Sequence, residues 1–212
     1  MLPATLAPPA LLVRHTRVEA PDLCYGQTDA VPLAATFAAE AAAVRAALLT
    51  ALAPTLAGWP KNTPGRVQLW RSPAARCGAL ADELARTLPA ALPPGLTLEC
   101  PPPDPRLHEL HFGTWENRPW DSLPPAELDP WMADFVTVAP PGGESFRALA
   151  ARAEAWRAAV TAAGGAHGDV VAVVAVTHAG VIRALGCARA GVPLAEAFAR
   201  FAEVPYGAVV AR

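Results

Sequence analysis

Three apolar runs in this 212-residue chain end in side chains that can handle an anion. Leu11-Leu12-Val13 runs into Arg14-His15-Thr16, and Val67-Gln68-Leu69-Trp70 runs into Arg71-Ser72-Pro73 with Arg76 one helical turn further on. The run Val170 to Val176 leads into Thr177-His178-Ala179-Gly180. An imidazole offers a nucleophile or a proton carrier near neutral pH. A guanidinium offers a planar fork that matches two oxygens of a phosphate. In open parallel sheets ligands bind beyond the carboxyl ends of the strands, where helix N-termini add backbone N–H groups and positive dipole ends. If the three runs are neighbouring parallel strands, Arg14, His15, Arg76 and His178 converge on one anion pocket. A single histidine leaving a strand is ordinary; three such clusters in one chain carry the reading. Arginine bias weakens it, because Lys61 is the only lysine.

The elements that must position these groups are read from periodicity. Leu33 to Leu52 repeats apolar residues at a period near 3.6 and is expected to be a helix. Ala74 to Leu88 and Ala179 to Arg189 are further helices, and Pro89 closes the first of them. Glu144 or Ser145 caps a helix that runs to Ala163. Strands are expected at Leu11 to Val13, Val67 to Trp70, Leu96 to Glu99, Asp169 to Val176 and Ala208 to Val210. His108 to Pro119 reads as an aromatic-rich loop and Ala126 to Phe135 as a short helix. Strands alternating with helices predict an α/β protein: a three-layer α/β/α sandwich with a largely parallel central sheet. The Pro-rich pieces at Pro101 to Pro105 and Pro140 to Gly143 read as loops inside one domain spanning residues 1–212.

Composition narrows the function. With 53% hydrophobic residues the chain can bury a sizeable core, and a net charge of −2 gives no basic surplus for a phosphate backbone, so no nucleic acid partner is expected. The longest uninterrupted apolar run, Val170 to Val176, is too short to span a bilayer, and no membrane partner is expected. The N-terminal stretch lacks a basic region and a clean cleavage site, so no leader is expected. Cys24, Cys77, Cys100 and Cys187 form no C-x-x-C pair and read as free thiols of a cytoplasmic protein. No G-x-x-x-x-G-K-[ST] or G-x-G-x-x-G turn occurs. His108-Glu109-Leu110-His111 has metal-ligand residue types but lacks a matching ligand pair, so no metal and no cofactor is expected.

At these residues the chain resembles the histidine phosphatase, or phosphoglycerate mutase-like, superfamily. "LLVRHT" is similar to that family's strand followed by Arg-His-Gly, with Thr16 in the glycine's place. "RSPAARC" resembles its Ser-Pro-x-x-Arg segment, "LHELHFGTWEN" its Glu-x-x-x-Gly-x-x-Glu segment, and "VTHAGVIR" its second-histidine motif. The four motifs fall in the family's order over nearly the whole chain. "RHTRVEAPDLCYGQTDAVPL" further resembles the α-ribazole phosphatase branch, whose members remove the 5′-phosphate from α-ribazole phosphate during assembly of the cobalamin lower ligand. The segment after His15 lacks the Gly-x-Ser-x-x-Asn pattern of cofactor-dependent mutases, which favours hydrolysis.

The resemblance implies a metal-independent phosphomonoesterase that works through a phosphohistidine and takes a small-molecule phosphate ester. It makes His15 the nucleophile and Glu109 the proton donor. Arg14 and Arg76, not Arg71, clamp the phosphate, His178 adds a third contact and Thr16 a hydroxyl. Gln27, Trp115 and His111 are candidate substrate contacts. Trp115, Trp120 and Trp131 either stack on a flat base or form a small apolar cap; Glu116 and Arg118 are expected at the surface. Two other readings stand beside α-ribazole phosphate hydrolysis: a broad-specificity phosphatase of sugar phosphates or other esters, and a non-catalytic phospholigand-binding protein.

Overall fold

The computed structural model describes residues 10–211; the first nine residues of the stretch read for a leader lie outside them. Five strands, β1 (Ala10–Arg14), β2 (Gly65–Arg71), β3 (Leu96–Glu99), β4 (Val170–Thr177) and β5 (Val209–Ala211), form one sheet in the order β3-β2-β4-β1-β5. All pairs are parallel except β1 with β5. The central strand β4 is buried along its whole length, as a β-branched run covered on both faces must be.

The two-residue period of the strands divides the core into two. Leu11, Val13, Val67, Leu69, Ala172, Val174 and Val176 face α1 (Ala34–Gly58) and α2 (Ala75–Thr87), meeting Val44, Leu48, Leu52, Leu80 and Leu84. Leu12, Val173 and Ala175 point the other way, toward α4 (Phe146–His167) and α5 (Ala179–Ala190) and their Leu149, Trp156, Ile182 and Leu185. Each fully buried leucine contributes about 2 kcal/mol by leaving water. The expected three-layer α/β/α sandwich with a largely parallel sheet is the observed architecture. Between β3 and α4 the chain makes short 3-10 turns and α3 (Pro125–Ala133), which form a cap over the second face. A last short helix, α6 (Ala197–Arg200), was not anticipated.

Boundaries moved in two informative places. Helix α1 runs six residues past Leu52 and through Pro54, because Leu56 packs on the core beyond the proline and rewards the extra turn. By length and composition α1 is apolar enough to cross a membrane, although Glu40 and Arg45 interrupt the run. In the sandwich its Ala41, Val44, Leu48 and Leu52 are buried against the sheet. Helix α4 begins after Ser145, whose side chain accepts the Ala148 N–H, and ends at Gly168 in the left-handed conformation (φ 65°).

Candidate active site

The site lies where the strand order reverses. Strands β1 and β4 are neighbours, in register from Ala10 opposite Val173 to Arg14 opposite Thr177. The next residue of each chain segment is therefore a histidine at the same sheet edge: His15, whose N–H donates to the Thr177 carbonyl (3.1 Å), and His178. Their rings lie 5.2 Å apart between centroids. On the other side of β4, the Ser72 N–H donates to the Val176 carbonyl (2.9 Å), and the turn that follows carries Arg76 on the first turn of α2.

Each ring has a defined set of partners. The Nδ1 of His15 lies 2.7 Å from the Thr16 carbonyl. A carbonyl can only accept, so Nδ1 carries the hydrogen and Nε2 keeps its lone pair. Burial lowers the His15 pKa to about 3, with Arg76 and Arg14 adding to the effect and the Thr16 bond opposing it. His178 is fully buried, and burial followed by the Arg76 charge holds it well below the ordinary range. Its Nδ1 lies 3.2 Å from Arg76 Nη2, and its Nε2 lies 2.9 Å from the Ser72 hydroxyl. Arginine only donates, so Nδ1 accepts and Nε2 carries the hydrogen. Both nitrogens of His178 are thus occupied by protein groups, and what it directly supports is the orientation of Arg76.

Arg76 is completely buried and donates to the carbonyls of Thr28 (2.8 Å) and Gly26 (2.6 Å) as well as to His178. Arg14 donates to the Val204 carbonyl (2.5 Å). Three buried polar atoms of this group have no hydrogen-bond partner among the described residues: Arg14 Nε, Arg76 Nε and Thr16 Oγ1. Buried donors are rarely left unpaired, and donors clustered around a neutral histidine suit an anion.

Glu109 approaches from the cap side. Its carboxylate accepts the Leu110 N–H (2.9 Å) and the Gly180 N–H (3.1 Å) in the first turn of α5. A Cβ on Gly180 would stand 2.1 Å from Glu109 Oε1, so the close approach requires glycine. Arg152 fixes the backbone of the Glu109 segment, donating to the carbonyls of Arg106, His108 and Glu109 while pairing with Glu144.

These groups open into a cavity of about 310 Å³. Arg14, His15, Arg76 and Glu109 line it, and so do Phe112, Trp120, Trp131, Phe135 and Phe198. Aromatic edges meet there: Phe112 packs on Trp120 at 5.3 Å and on Trp131 at 6.2 Å. One cavity therefore holds both the anion-binding groups and a set of aromatic rings.

Among the candidate substrate contacts, Trp115 is corrected. It is 0% exposed, donates its indole N–H to Glu127 (2.8 Å) and packs on Trp131 from behind, so no substrate reaches it. Gln27 is exposed and does not line the cavity; its N–H donates to Glu116. His111 is also absent from the lining, and its backbone N–H and C=O both go to Glu144. Thr16 and His178 are buried beside His15 without lining the cavity. Arg71 pairs with Asp82 and Arg17 with Glu40, away from the site. Glu116 was expected at the surface; instead its carboxylate gathers the N–H groups of Gly26, Gln27, Thr28 and Phe112 and the Thr28 hydroxyl. Tyr25, Tyr206 and Arg183 line the cavity and were not anticipated. One signal was available: the chain has only two tyrosines, and both lie here.

An anion pocket of this kind, at the carboxyl edge of a parallel sheet, defines the protein as an α/β enzyme that handles phosphoryl groups. The sequence model of the histidine phosphatase superfamily (branch 1) matches residues 10–209, and the chain belongs to that superfamily. It is a phosphoric monoester hydrolase. Among solved structures, a mycobacterial glucosyl-3-phosphoglycerate phosphatase in complex with inorganic phosphate is 26% identical over 91% of this chain and 84% of its own, with a TM-score of 0.66. The α-ribazole phosphatase of Shigella flexneri is 22% identical over 96% of this chain and 89% of its own, with a TM-score of 0.69. A putative α-ribazole-5′-P phosphatase from Escherichia coli is 21% identical over 97% and 90%, with a TM-score of 0.70. At these identities the last two share the fold. No curated protein sequence matches the chain.

Proposed function

We propose that the enzyme hydrolyses a phosphate monoester whose leaving alcohol carries a flat aromatic base, α-ribazole 5′-phosphate, through a phosphohistidine. The observation that carries this reading is the cavity itself, which His15 lines together with Phe112, Trp120 and Trp131. A benzimidazole base stacks on such rings, whereas a glucosyl group calls for more polar partners. The segment Arg14 to Leu33, with its "CYGQTD", supports the same branch. None of the four cysteines, Cys24, Cys77, Cys100 and Cys187, is in a disulfide, which supports a cytoplasmic location.

In the first step His15 Nε2 attacks phosphorus in line. The P–O ester bond breaks, its electron pair goes to the departing oxygen, and that oxygen takes the Glu109 proton. In the second step the Glu109 carboxylate accepts a proton from water as the water oxygen attacks phosphorus. The P–N bond breaks and returns its electron pair to Nε2, releasing inorganic phosphate. Arg14 and Arg76 neutralise the phosphoryl oxygens throughout. His178 holds Arg76 in place and stays neutral.

The test is kcat/KM for α-ribazole phosphate against glucosyl-3-phosphoglycerate and a panel of sugar phosphates. A preference for α-ribazole phosphate well above tenfold is expected. A preference below about tenfold, roughly 1.4 kcal/mol in transition-state binding, leaves a broad-specificity phosphatase instead. His15→Ala should abolish turnover of every ester; retained hydrolysis would remove His15 as the nucleophile.

A further inference from the structure

Tyr25 and Tyr206 take no part in the steps above, although both line the cavity. They come from opposite ends of the chain: Tyr25 from the segment after β1, Tyr206 from the segment entering β5. Their phenol oxygens lie 2.7 Å apart. The Tyr206 ring covers the Arg14 guanidinium, with Cζ 3.9 Å from the ring centroid, and the Tyr25 ring faces Arg76 at 5.0 Å. The same rings stand 5.5 Å and 6.5 Å from the imidazole of His15.

The two segments also hold the edges of the arginines. The Val204 carbonyl takes an Arg14 N–H, and the Gly26 and Thr28 carbonyls take those of Arg76. Each arginine is therefore gripped by one segment, with a ring on its face and carbonyl oxygen on its edge. The phenol–phenol bond joins the two grips. A guanidinium face is weakly hydrated and accepts an aromatic ring, while the N–H groups that bind phosphate lie in the plane. A ring on the face fixes that plane without using up a donor. Burial, followed by the bond to Tyr206, pushes the Tyr25 phenol above its ordinary range, so the bridge is a neutral hydrogen bond.

We propose that Tyr25 and Tyr206 are positioning residues for phosphoryl transfer, a bonded pair that latches two distant segments and presents Arg14 and Arg76 to the phosphoryl group in one arrangement. The proposal rests on the reading of His15 as the phosphoryl acceptor.

Tyr25→Phe and Tyr206→Phe keep the rings and remove the bridge. The readouts are kcat/KM for p-nitrophenyl phosphate, which reports every step through phosphoryl transfer, and inhibition by vanadate. Each single variant should lower kcat/KM about fivefold, a typical loss for one hydrogen bond, and weaken vanadate inhibition by a similar factor. The double variant should be no worse than either single one, because each removes the same bond. Tyr206→Leu, which also loses the stack on Arg14, should cost about tenfold more. Losses that multiply in the double variant, or Phe variants that all match wild type, would overturn the latch. If Tyr206→Leu does not fold, the Phe variants decide alone. Acid-labile phosphohistidine in the wild-type enzyme separates the two ideas. Its absence removes the His15 reading, whereas its presence with wild-type formation rates in the double Phe variant removes the latch alone.

Discussion

A histidine attacks phosphorus only through a nitrogen that holds a lone pair, and the bond from His15 Nδ1 to the Thr16 carbonyl decides that this is Nε2. Burial first, and then the neighbouring Arg76 and Arg14, keep the ring neutral with a pKa of about 3, so nucleophile and clamp reinforce each other. The acid is positioned with equally little room. Glu109 sits against the first turn of α5 only because residue 180 has no side chain. Gly180→Ala should therefore push the carboxylate out of place while leaving the helix intact, since alanine is the better helix former. We expect kcat/KM for an alkyl phosphate to fall about a hundredfold, the lower end of what a general acid supplies. For p-nitrophenyl phosphate, whose leaving group needs little protonation, the loss should stay under about tenfold. Equal losses on both esters would remove Glu109 from the role of acid.

Among the elements, the segment from Gly26 to Thr28 does most to complete the pocket, and it has no regular structure to hold it. Its carbonyls orient Arg76 because Glu116 collects its N–H groups from below. Burial alone would raise the Glu116 pKa, but the hydrogen bonds from Thr28, Gln27 and Phe112 outweigh it and hold the carboxyl below its usual range. Glu116→Gln would turn an NH₂ group toward backbone donors. We expect a loss of about 2–3 kcal/mol in urea unfolding, the scale of a broken charged hydrogen-bond set, together with reduced kcat/KM. Unchanged stability would mean that the segment holds itself. The sequence made the strands legible because apolar runs that end in Arg, His or Ser-Pro have a period and an abrupt end. It therefore showed where His15, Arg76 and His178 would stand. Glu116 was less legible, since a carboxylate in an irregular loop carries no periodicity to say which way it points. The same reason hid which tryptophan faces the cavity: Trp115 turns inward while Trp120 and Trp131 line the wall. Tyr206 was hidden by distance along the chain, because only the antiparallel return of β5 beside β1 brings it to His15.

For the whole molecule, an edge built from buried neutral histidines has a consequence for stability. His15 and His178 titrate near 6.5 in the unfolded chain, but in the folded protein His15 is lowered to about 3 and His178 well below its ordinary value. His108, half-buried near Arg152 and Arg76, shifts the same way. Between pH 6.5 and 3 the unfolded chain therefore binds more protons than the folded one, and acidification favours unfolding. The contribution is fully present above pH 6.5 and is lost as the pH falls toward 3. At pH 5.5, a unit or so below the unfolded value, the loss amounts to roughly 1 kcal/mol for His15, and His178 adds a loss in the same direction. Carboxylates add little between pH 7.5 and 5.5: Asp104 and Glu116 are held below their usual range, so the stability they contribute is lost only as the pH falls below about 5. Urea unfolding at pH 7.5 and 5.5 should show that loss, and His15→Gln, which cannot titrate, should remove the His15 share of it. A midpoint that stays constant between the two pH values would mean that the histidines take up protons in the folded enzyme as readily as in the unfolded chain. Their lowered pKa would then be lost along with the explanation for acid sensitivity.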